Sequence, residues 1–167
     1  MVSGLVLPDI TGAIFTRLRA DVDVAALCSQ NQPAGAQTRV GTSFPESSDA
    51  AKRWVMPDYA VLIRRAGGPA PRMDTGTHFA RFDVICYGAG RTIGTRRRTA
   101  DLLWRTVDPV LCPPRGTSLP TSFHAARTII AYIYAESEPI PSIEPGTDWP
   151  RVICPYVVAY MSGRIAA

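Results

Sequence analysis

Lysine is nearly absent from this chain: Lys52 is the only one, and arginine supplies the rest of the 18 basic residues. Histidine is limited to His78 and His124, and neither has finger-like spacing to Cys28, Cys86, Cys112 or Cys154, so a zinc site is not expected. No Cys-x-x-Cys pair occurs. Cys86 and Cys154 sit in apolar, strand-like runs and read as buried free thiols of a reducing compartment. A Gly-x-Ser-x-Gly elbow is missing, and no cysteine stands in a nucleophile context. The carboxylates are scattered; the closest pairs, Asp21 with Asp23 and Glu136 with Glu138, read as a turn and a solvated loop edge. No apolar run is long enough for a transmembrane helix. The start MVSGLVLPDI lacks the basic segment of a signal peptide, so none is expected.

What is present fits one globular unit. The 167 residues are 46% hydrophobic and 19% charged, with a net charge of +4. That balance permits contact with nucleic acid without requiring it. The spacing predicts a first helix over 9–20, capped by Asp9, with Ile10, Ala13, Ile14 and Leu18 on one stripe. A short second turn follows through Val24, Ala25 and Leu27. Residues 29–57 form a polar, irregular excursion with a brief strand at Arg39–Gly41. Tyr59–Arg65 reads as a strand stopped by a Gly/Pro-rich loop over 66–76. In Thr77–Tyr87, Ala80, Phe82, Val84 and Cys86 alternate with Arg81, Asp83, Ile85 and Tyr87. A helix from about Thr92 is expected to stop or kink at Asp108, before Pro109. Phe123–Ala135 carries apolar residues on both faces in its second half, so it reads as a central strand or one whose face a neighbour buries. A second long loop covers 136–150. The last strand, Arg151–Met161, contains Pro155 and is therefore expected at an edge or bulged there.

The fold expected is a single α+β domain over 1–167, in the order α-β-β-α-β-β. It has a small, mostly antiparallel four-stranded sheet with helices packed on it and long Pro/Gly-rich loops.

Gly88-Ala-Gly90-Arg-Thr-Ile-Gly94 follows a strand and opens a helix, as phosphate loops do, but its glycine spacing is one residue too long for a dinucleotide fingerprint. Arg96, Arg97 and Arg98 lie at the start of that helix, where cations oppose the macrodipole. A phosphate, an acidic partner surface or plain solubility would account for them. Arg64, Arg65 and Arg72 flank the 66–76 loop. Trp104 sits on the helical stripe and reads as core. Trp149 either anchors its loop or fills a pocket on a neighbour.

Arg81-Phe-Asp-Val-Ile-Cys-Tyr-Gly88 followed by a helix, and the loop ending Gly146-Thr-Asp-Trp-Pro-Arg151 before the last strand, resemble the tail terminator (tail completion) family of long-tailed bacteriophages. The opening helix and the Tyr59–Arg65 strand with its Gly-Gly-Pro stop fit the first half of that family. The resemblance implies a structural protein with no catalytic residues and no cofactor. It implies a homo-oligomeric ring, typically a hexamer, in the virion neck, assembled in the host cytoplasm without a membrane. The ring would cap the tail tube protein, meet the head-side connector or stopper, and let DNA pass through its lumen. On that reading Arg64, Arg65 and Arg72 are candidates for the lumen or tube side. Arg96, Arg97, Arg98, Trp149 and Arg151 are candidates for contact with a neighbouring subunit or partner. Two alternatives are another neck ring or minor tail protein, and a small nucleic-acid-binding protein using the Arg cluster and the Gly88–Gly94 turn.

Overall fold

The computed structural model describes residues 9–32, 38–44, 58–67, 77–113 and 128–162. The order within them is α1 (Ile10–Ala20), α2 (Val22–Cys28), β1 (Val40–Gly41), β2 (Ala60–Gly67), β3 (Thr77–Tyr87), α3 (Ile93–Leu111), β4 (Thr128–Ala135), β5 (Ile140–Ile143) and β6 (Pro150–Ser162). The domain is α+β, but the described sheet is mixed and six-stranded rather than four-stranded. Strands run β1-β2-β3-β6-β4, with β5 on β6 beyond the end of β4. Only β1, parallel to β2, departs from antiparallel pairing. Of the two added strands, β1 falls on the brief strand expected at Arg39–Gly41, and β5 comes from a stretch that composition marks as loop.

The α1 stripe forms as its spacing requires: Ile10, Ala13, Ile14 and Leu18 are all buried, and the Asp9 carboxylate accepts from Gly12 N at 2.7 Å. The second turn is a full helix, α2, capped by Asp21 at Asp23 N and Val24 N. In α3, Ala100, Leu103, Val107, Val110 and Leu111 are buried against the sheet. This helix runs through Pro109 to Leu111 instead of stopping at Asp108. Proline removes one donor, but the turn closes behind it through Cys112 N to Asp108 O at 2.7 Å, and burial of Val110 and Leu111 favours the continuation.

Alternation along β3 divides the interior in two. Ala80, Phe82, Val84 and Cys86 join the main core with the helices, Cys154, Tyr156 and Val158. Ile85 and Tyr87 face the other way and form a small second core with Ala60 and Leu62, against which Phe44, Trp149 and Ile153 pack.

Two sequence expectations about strand position change. The last strand, β6, is not at an edge; it lies between β3 on one side and β4 and β5 on the other. Pro155 O accepts from Glu136 N at 2.8 Å. Since N and C=O of an extended residue point the same way, the missing proline N–H falls at the break between β4 and β5, where no ladder bond is needed. Conversely, β4 is not central but the last strand of the described order. A register shift between Ile130 and Tyr132 turns Ile130 and Ile133 inward and leaves Tyr132 and Tyr134 on the face away from the helices. Phe123–Arg127 and His124 lie outside the described residues, as do Trp54 and residues 68–76.

Candidate interaction surface

The loop between β5 and β6 holds the motif that carries the resemblance, and each of its distinctive side chains has a partner within the chain. Gly146 has φ 77°, a conformation that suits glycine, and Thr147 closes the turn with both N and Oγ1 on Glu144 O. Asp148 pairs with Arg96 Nη1 at 2.8 Å. Trp149 meets Phe44 edge-on at 5.9 Å, and Phe44 in turn meets Tyr87 at 5.3 Å. The Glu144 carboxylate accepts from Tyr87 Oη at 2.6 Å and pairs with Arg151, whose side chain is largely buried. Burial pushes the Tyr87 hydroxyl up, and the nearby Arg151 and Arg64 charges work against that rise. The Gly-Thr-Asp-Trp-Pro-Arg signature therefore closes one end of the second core.

Arg96 belongs to the same clamp. Its Nε donates to Gly90 O at 2.8 Å, so it braces the start of α3 instead of extending a free basic cluster. Arg97 and Arg98 are exposed. The glycine turn before α3 is shaped for packing: a Cβ at Gly88 would overlap the Arg96 carbonyl oxygen, and Thr99 Oγ1 donates to Ala89 O at 2.7 Å. Its carbonyls are held by α3 side chains, which is not how a phosphate cradle works.

Arg64 and Arg65 are exposed but look to opposite sides of the sheet. Arg64 pairs in register with Asp83 on the face away from the helices. Arg65 pairs with Phe82 and lines a shallow cleft with Asp9, Thr11 and Tyr160 on the helical side. The two do not form one basic patch. Arg72 lies outside the described residues.

The sequence reading missed a buried ion pair. Arg39, fully buried, donates to Tyr59 O at 2.7 Å and Gln30 O at 2.6 Å and meets Asp58 at 3.1 Å. It ties the end of α2 to β1 and β2. Burial lowers the Arg39 pKa, and Asp58 opposes that change. The only cue in the sequence is the Arg39-Val-Gly strand fragment within a polar stretch.

Burial raises all four thiols: Cys28 and Cys112 to about 12, Cys86 and Cys154 also upward, so none is a ready thiolate at neutral pH. His78 stacks against Tyr160 at 5.2 Å. Among the described residues, no group of three or more His, Cys, Asp or Glu is placed to hold a metal, and no helix is long and apolar enough to cross a membrane.

The outer margin of the sheet is the surface that the fold leaves open. Tyr132 and Tyr134, 46% and 45% exposed, stack on each other at 5.9 Å. Ile140 continues the same margin at 54% exposed. Between them Arg81 Nε holds Glu136 at 2.8 Å. No protein-family model matches the chain, and no curated protein matches it.

Proposed function

We propose that this chain is a structural ring subunit from the neck of a long-tailed bacteriophage, of the tail terminator type, and not an enzyme. The observation that carries this reading is the sheet margin at β4: an uncharged strand at the end of the described sheet, with two stacked tyrosines left to solvent. A lone subunit gains nothing from that surface, whereas a subunit built to meet other proteins does. The motif resemblance supplies the setting. On this reading the ring caps the tail tube, ends its polymerisation and offers a surface to the head-side connector, with DNA passing through the lumen. DNA would pass without tight binding, which accords with arginines spread over opposite faces.

The test is negative-stain imaging and mass measurement of the purified protein, alone and mixed with tail tubes. Closed rings, or added density at one tube end, are expected. A protein that stays monomeric and ignores tubes would sink the reading. Exposed Arg97 and Arg98 favour a second reading, a DNA-binding protein. It requires salt-sensitive DNA binding that drops when both are replaced by Ala, and no binding at low salt ends it.

A further inference from the structure

The β4 segment TIIAYIYA contains no charge and no proline, two of the devices that usually protect a strand at the end of a sheet, and its one irregularity is the register shift between Ile130 and Tyr132. Its outward tyrosines and Ile140 form an apolar margin, and the charge beside them is acidic. Glu136 is engaged by Arg81, while Glu138 is exposed and has no ion pair among the described residues. The opposite side of the molecule has the complementary character. On α3, Arg98 and Leu102 lie away from the buried Ala100, Leu103 and Val107, and Leu102 is 50% exposed. Arg96 is occupied by Asp148 and Arg105 by Asp101, but Arg98 has no ion pair among the described residues.

We propose that the β4 margin of one copy docks on the outward face of α3 in the next copy, with Tyr132, Tyr134 and Ile140 against Leu102 and Glu138 facing Arg98. This rests on the ring-subunit reading and assigns the surfaces that join the ring. The tyrosines and the outward side of α3 lie on opposite sides of a two-layer domain, so the contact is head-to-tail, the kind that closes a ring by repeated rotation. A two-fold contact at the β4 margin would set Glu138 near its own copy, and the charge pattern disfavours it.

Sedimentation velocity on the full-length protein across a concentration range tests this, with thermal melts as a folding control. Wild type is expected to associate. Tyr132→Ser combined with Tyr134→Ser weakens association by about tenfold or more, as loss of aromatic anchors does, with the melt nearly unchanged. Arg98→Glu and Glu138→Arg each weaken it several-fold. An equimolar mixture of these two variants recovers association, because each reversed charge meets its complement on alternate copies. Variants that associate as tightly as wild type, or a mixture that stays dissociated, would overturn the docking surfaces while rings on tail tubes keep the ring reading standing. A wild-type monomer that captures tail tube protein through the tyrosine face also overturns it. A wild type that neither associates nor caps tubes removes both.

Discussion

On the helical side of the sheet, Phe82, Val84 and Cys86 meet α1, α2 and α3 in one continuous core. On the other side, Ile85 and Tyr87 form a smaller core with Ala60 and Leu62, covered by Phe44, Trp149 and Ile153, and the tyrosines of β4 are nearly half exposed. Both faces come from the same alternating strands. The difference lies in what covers them: helices with long apolar stripes on one side, one hairpin tip held by ion pairs on the other. The helical face is built for stability. The far face is sealed at one end and open at the other, which suits a subunit whose remaining apolar surface is buried by assembly.

Breaking the buried ion pair is expected to do the greatest damage. Asp58→Ala would strand the fully buried Arg39 guanidinium, at a cost of about 3–5 kcal/mol by urea denaturation. Leu103→Ala, removing a fully buried contact between α3 and the sheet, is expected to cost about 3 kcal/mol in the same assay. Trp149→Ala opens the sealed end of the far face. Because Trp149 is only partly buried, the expected loss is smaller, about 2 kcal/mol. If Trp149→Ala cost more than Leu103→Ala, the two faces would not differ in the way described.

A pH series probes the helical face without a mutation. The Cys28 thiol ionises near 9.0 when exposed and only at about 12 in the folded chain. Below pH 9 both states hold the proton and the thiol has no effect. Between pH 9 and 12 the unfolded state releases it and the folded state does not, so stability falls by up to about 1.4 kcal/mol per pH unit from this group. Urea midpoints at pH 8 and pH 10 measure this. A Cys28→Ala variant, compared at the same two pH values, isolates the share that belongs to the thiol.

Local pattern made the helices and β3 legible, because the Ile10–Leu18 stripe and the Ala80–Cys86 alternation are set by neighbours in the chain. Sheet order was not legible, because it depends on pairings between distant segments. β4 has apolar residues on both faces and so reads as central, yet its tyrosines are open. Pro155 suggests an edge, yet its missing donor falls at the junction of β4 and β5. The Asp-Trp-Pro-Arg loop stood out in sequence, but its partners Arg96, Phe44 and Glu144 are set by the fold. Adjacency in sequence groups Arg96 with Arg97 and Arg98, whereas the fold pairs it with Asp148.

The smallest expected effect on folding is at Tyr134. Tyr134 is 45% exposed and, among the described residues, its ring stacks on Tyr132, so Tyr134→Ser removes less buried area than Trp149→Ala and is expected to cost less than about 1 kcal/mol. The same change removes an apolar group from the open margin of β4. If that margin serves assembly, the variant melts close to wild type and associates more weakly, though less so than the double serine variant. A melt that falls by as much as that of Trp149→Ala would mean that Tyr134 supports the fold, and the open end of the far face would then be part of the monomer's own core.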